Sequence, residues 1–149
     1  EYSCIQTLNI EFEIFLSQTT RQKEKAESLG NDYKSTLENI GIKSATILTL
    51  KNYCEILAVY LNREEEAIKL LNETIENPLL DAYDIAICKM ELAKILIRYD
   101  KIWEATLLYA QVEKKFNEDV IGQHAKFEKT KRRSEKKKHC RKSFAKRRE

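Results

Sequence analysis

Five apolar residues spaced 3, 4, 3 and 1 apart recur three times along this chain, and that recurrence leaves few folds open. Ile5, Leu8, Phe12, Phe15 and Leu16 form the first set. Ile47, Leu50, Cys54, Leu57 and Ala58 repeat it 42 residues later, and Ile85, Cys88, Leu92, Ile95 and Leu96 after a further 38. The spacing is that of one face of an α-helix. One such stripe describes any amphipathic helix, whereas three in a common register describe three equivalent helices. Each is followed by a second apolar set that opens on a small residue: Ala26 with Leu29 and Tyr33, Ala67 with Leu70, Leu71 and Thr74, Ala105 with Leu108, Tyr109 and Val112. A helix pair joined by a short turn cannot bury both apolar faces alone, but stacked pairs do. The chain is therefore expected to be all-α, an α-α superhelix of three helical hairpins at about 4–38, 44–76 and 83–116.

Within those hairpins the pattern predicts helices near 4–18, 20–38, 44–61, 64–76, 83–99 and 102–116. Gly30 costs the second of these about 1 kcal/mol relative to Ala and is expected to break or bend it. Gly41 after Asn39 and Ile40 closes the first hairpin, and Asn77 with Pro78 closes the second. Asp81 and Asp84 stand where a cap for the fifth helix belongs. Residues 119–122 are expected to end the sixth helix.

The formal charge of +3 conceals a sharp division. Residues 126–149 hold 13 Lys and Arg against 3 Asp and Glu, which leaves 14 against 21 in residues 1–125. An acidic repeat domain, 1–125, thus precedes a basic tail, 126–149, expected as a solvated helix or a disordered segment because Thr130, Arg133 and Lys137 fill the positions a further core stripe would need. Ala125 and Phe127 are expected to cover the end of the sixth helix, with Lys and Arg stems laid over Trp103, Leu107 and Leu108.

The third hairpin resembles the tetratricopeptide repeat: Leu92 and Ala93, then the D-K-I-W-E-A turn of residues 100–105, then Tyr109 occupy that motif's positions. Residues 40–44, 62–67, 103–109 and 122–127 together resemble a group of exported tetratricopeptide-repeat proteins of Gram-negative bacteria. The resemblance covers roughly residues 36–127 and implies a protein-interaction scaffold without catalytic residues, placed in the cell envelope or periplasm. The second repeat departs from the motif at Cys54 and Glu55. The array departs from it again after Phe127, where Thr130, Lys131 and Arg132 replace small and aromatic residues.

In stacked hairpins the first helices line the concave face. Counting along the second and third hairpins puts Asn52, Ile56, Tyr60, Met90, Lys94 and Arg98 there, a mixed surface suited to an extended peptide or a helix. Ile56 breaks the Lys and Asn pattern that would clamp a terminal carboxylate. The rival partner is nucleic acid or an anionic surface, met through Lys131, Arg132, Arg133, Lys136, Lys137 and Lys138 by counterion release. Trp103 is expected to pack across its hairpin turn.

Catalysis, cofactor and metal are not expected. Cys4, Cys54, Cys88 and Cys140 have no C-x-x-C spacing, and a free Cys in an apolar stretch serves as a small buried hydrophobe. His124 and His139 have no nucleophile at a useful spacing. Glu64, Glu65 and Glu66 suit the positive end of a helix dipole, and Gly30, Gly41 and Gly122 do not form a phosphate loop. No apolar run is long enough to span a bilayer. The opening residues, without an initiator Met, carry Glu11 and Glu13 where a secretory h-region is uncharged, and this suggests a fragment or a processed chain.

Overall fold

The computed structural model describes the backbone of residues 2–18, 20 and 22–146, and their side chains apart from 2, 139–141 and 143–146. His139, Cys140, Phe144 and Ala145, named above, have side chains outside this set. Among the described residues all regular structure is helical. Seven α-helices follow one another: α1 Tyr2–Ser17, α2 Lys23–Ile40, α3 Ile47–Glu55, α4 Glu64–Ile75, α5 Ala82–Arg98, α6 Ile102–Lys115 and α7 Val120–Lys146. A 3-10 turn, Ser44–Thr46, leads into α3, and a π-helical turn, Ile56–Tyr60, continues it.

Thirteen of the fifteen residues in the repeated stripes are buried; Leu16 and Ile85 are half-buried. Burial of the small residues that open the second helices, Ala26, Ala67 and Ala105, is complete or nearly so. Their lack of side-chain bulk is what allows a neighbouring helix to come close.

The ends of the elements repeat as well. Asn62 and Asp100 both take the left-handed conformation, with φ of 52° and 61°, and stand 38 residues apart like the stripes before them. Asn and Asp are the non-glycine residues that tolerate this region best. After α5 the closure is a Schellman turn: the Lys101 amide reaches the Leu96 carbonyl at 2.9 Å and the Asp100 amide reaches Ile97 at 3.2 Å. After α3 the Arg63 amide reaches the Leu57 carbonyl at 2.8 Å, one residue wider than Lys101 to Leu96, and the Leu61 amide reaches Ile56 at 3.1 Å, because the turn there is π-helical. Gly41, at φ 87°, ends α2 with its amide on the Leu37 carbonyl. The Asp81 carboxylate accepts the Asp84 amide at 2.8 Å and so caps α5, and Asn77 accepts the Leu79 amide at 3.0 Å in the turn after α4.

Gly30 does not break α2. The helix runs through it, and a Cβ there would lie 3.4 Å from Leu61 Cδ1 and 3.6 Å from Ile56 Cγ2, so the glycine is where α2 approaches the π-helical turn. Nor does Gly122 end the sixth helix. It is buried in the first turn of α7, where a Cβ would overlap the Phe116 carbonyl.

Two compact units are distinguished, residues 1–95 and 96–149. In the first, α1 packs on α2 and α3, α2 on α3 and its π-helical turn, and α3 on α4. In the second, α6 and α7 pack on each other. The sequence division at 125/126 is not a structural one: α7 starts six residues earlier, at Val120. Basic residues on an outer helix face change the charge without marking where the inner face makes its contacts.

Candidate interaction surfaces

In the first unit the first helices of successive hairpins are tied by polar side chains. Asn52 on α3 donates to Asn9 Oδ1 on α1 at 3.1 Å, and Tyr33 on α2 donates its hydroxyl to Asn9 Oδ1 at 3.0 Å and to the Leu8 carbonyl at 3.2 Å. Burial pushes the Tyr33 phenol up to about 12, so it remains a donor. On the other side of α3, Lys94 of α5 reaches Glu55 at 3.5 Å, and Ser44 hydrogen-bonds the carboxylate of Asp84.

Lys94 also lies 3.9 Å from Glu91, whose side chain is only 2% exposed and whose Oε1 has no hydrogen-bond partner. Burial pushes the Glu91 carboxyl above the usual range, with Lys94 and Lys51 opposing and Glu55 reinforcing that shift. Cys54 and Cys88 are buried near this carboxyl. Burial holds both thiols up, Cys88 to about 12, which is the opposite of what a reactive cysteine needs. Cys4, by contrast, is exposed.

Against this geometry the six residues assigned to a concave face separate. Ile56 is fully buried and cannot meet a ligand, since the π-helical turn and α2 enclose it at Gly30. Asn52 is half-buried and occupied by Asn9 and Tyr33, and Tyr60 is half-buried with its ring edge-on to Phe15 at 5.0 Å. Met90 is half-buried and Lys94 exposed; both lie in the first unit and are open to contact. Arg98 is exposed but belongs to the second unit. Wheel counting failed at Ile56 because α3 is covered on two sides, which period alone does not reveal.

The basic residues of the alternative surface are carried by α7. Lys131, Arg133, Lys136, Lys137 and Lys138 are exposed. Arg132 is half-buried and committed, paired with Glu135 at 2.9 Å and Glu128 at 3.6 Å. Lys136 lies 5.6 Å from the centre of the Trp103 ring. Trp103 itself is 73% exposed rather than packed across its turn, and Phe127 is 63% exposed, while Ala125 is fully buried against the rest of its unit. Sequence reasoning also missed the partner of Glu66. Arg63 grips it with one edge of its guanidinium, Nε to Oε2 and Nη2 to Oε1, the latter at 2.9 Å, and holds its carboxyl below the usual range. His124, 61% exposed, stands 3.8 Å from Glu128.

Among the described residues no group of three His, Cys, Asp or Glu is placed to hold a metal ion, and no helix is long and apolar enough to cross a membrane. No family model, curated protein or solved structure matches the chain.

Proposed function

We propose that the chain is a protein-interaction module built as a tetratricopeptide-like array, which holds a peptide or helix of a partner against its first helices. The observation that carries this reading is the 38-residue recurrence shared by the buried stripe, the small residue that opens each second helix and the left-handed residues Asn62 and Asp100. Such an array presents first-helix side chains that its own packing leaves partly open; Met90 is half-buried, and Lys94 is exposed while pairing with Glu55 and Glu91. Met is adaptable and Lys94 adds a cation beside it, a combination suited to a mixed peptide.

A second reading, association with nucleic acid through α7, draws on exposed cations of that helix at 131, 133 and 136–138. Two full-length variants separate the two. Met90→Asp with Lys94→Glu should abolish capture of protein partners. Reversing Lys131, Arg133, Lys137 and Lys138 to Glu should leave that capture intact at both low and high salt. Capture lost only in the α7 variant, sensitive to nuclease and to salt, would select the second reading.

A further inference from the structure

α6 and α7 run antiparallel, with Lys129 paired to Glu113 towards one end and Lys136 over Trp103 at the other. Between them, within residues 96–149, opens a groove of about 760 Å³, inside the size range of ligand clefts. At one end it is lined by Asp100 and Ile102, and its α6 wall continues with Trp103, Thr106, Leu107 and Ala110. These follow the i, i+3, i+4, i+7 spacing of a helix face over two turns, roughly 10 Å long. That face is incompletely covered: Trp103 is 73% and Leu107 54% exposed. Thr106 and Ala110 are small enough to let another backbone approach between the two large side chains. The opposite wall carries Arg132, Arg133, Glu135 and Lys136. Arg132 is neutralised by Glu128 and Glu135, whereas Arg133 has no ion pair among the described residues.

We infer that this groove receives an acidic amphipathic helix from a partner protein. The spacing of the α6 wall accepts an apolar ridge of period 3.6, which seats on Trp103 and Leu107 and runs over Ala110. Charge complementarity selects the partner: carboxylates flanking the ridge meet Arg133 and Lys136, with Lys137 and Lys138 one turn or less away, on a segment whose net charge is +10. An apolar helix flanked by Lys or Arg would face like charge. The site is separate from Met90 and Lys94 and does not depend on the first-helix reading.

Trp103 is the chain's one tryptophan, so its emission reports on the groove directly. The probe is a dye-labelled helical peptide of roughly 18 residues, about five turns, with Leu at i, i+3, i+4 and i+7 and Glu on the remaining faces. A counterpart carries Lys for every Glu. The acidic peptide should bind the full chain saturably and shift Trp103 emission to the blue, while the Lys peptide should do neither. Leu107→Asp should weaken binding at least about tenfold, as should Arg133→Glu with Lys136→Glu. Salt raised from about 0.05 M to about 0.5 M should weaken it comparably. Met90→Asp with Lys94→Glu should leave it unchanged. All substituted groove positions are exposed, and the charge-reversal pair decides the matter if Leu107→Asp proves unfolded. Equal binding of both peptides, or acidic-peptide binding without an emission shift, would overturn the inference. So would an emission shift produced only by an oligonucleotide, by anionic vesicles, or by self-association that Leu107→Asp abolishes.

Discussion

Two glycines inside helices look alike in the sequence and do opposite things in the structure. At Gly30 the neighbours a Cβ would meet are flexible side-chain ends at 3.4 and 3.6 Å, so Gly30→Ala is expected to be neutral or to stabilise by up to about 1 kcal/mol through helix propensity. At Gly122 the obstacle is the Phe116 carbonyl, which cannot rotate away, so Gly122→Ala should destabilise by about 1–3 kcal/mol. Paired thermal melts of the two variants check both signs. Glu91 makes a prediction in pH. Its carboxyl is raised in the folded chain by burial, with Lys94 and Lys51 as the opposing cations and Glu55 as the like charge. A raised pKa means that the stability it confers is full below the unfolded carboxyl value of about 4.3 and is lost as pH rises through the folded value. Glu91→Gln should therefore be more stable than the natural chain at neutral pH, with the difference shrinking as the medium is acidified towards pH 4 or so. Denaturant midpoints that differ by a constant amount across that range would show that Glu91 is not the titrating group.

At the scale of the element, the repeated stripes were legible because burial between packed helices follows helical period closely. Leu92 is 3% exposed among buried Ala93 and Ile95, and Leu92→Ala should cost about 2–5 kcal/mol in a denaturant melt. A cost below about 0.5 kcal/mol would mark it as a surface position. What period did not reveal is the second covered side of α3. Thr49, Tyr53 and Ile56 are buried together with the stripe of Leu50, Cys54 and Leu57. α7 shows the converse case. Lys, Arg and Glu favour a helix, and Glu128 to Arg132 and Arg132 to Glu135 add ion pairs at four and three residues, so the element was foreseeable. Cover of α6 by Ala125 was expected as well, but the close approach at Gly122 and the exposure of Phe127 were not, because the contact rests on small inner residues rather than on a continuous apolar stripe.

At the scale of the whole molecule, charge is the property that reaches furthest. With net charge near −7 in residues 1–125 and +10 in 126–149, any association with nucleic acid should lie on α7 and weaken steeply with salt. Titration of a fluorescent oligonucleotide against the full chain, at two salt concentrations, should show that dependence, and Lys131→Glu with Lys137→Glu should reduce its slope. A salt-independent complex would place the contact elsewhere. What the sequence by itself determined is the helical class, the three-fold recurrence and the buried stripes that carry it, since these follow from apolar spacing that only one kind of local geometry satisfies. What only the tertiary structure decided is which surfaces remain open. Ile56 disappeared into the interior and Trp103 emerged from it, because exposure depends on which neighbours arrive from elsewhere in the chain, and helical period describes a single element alone.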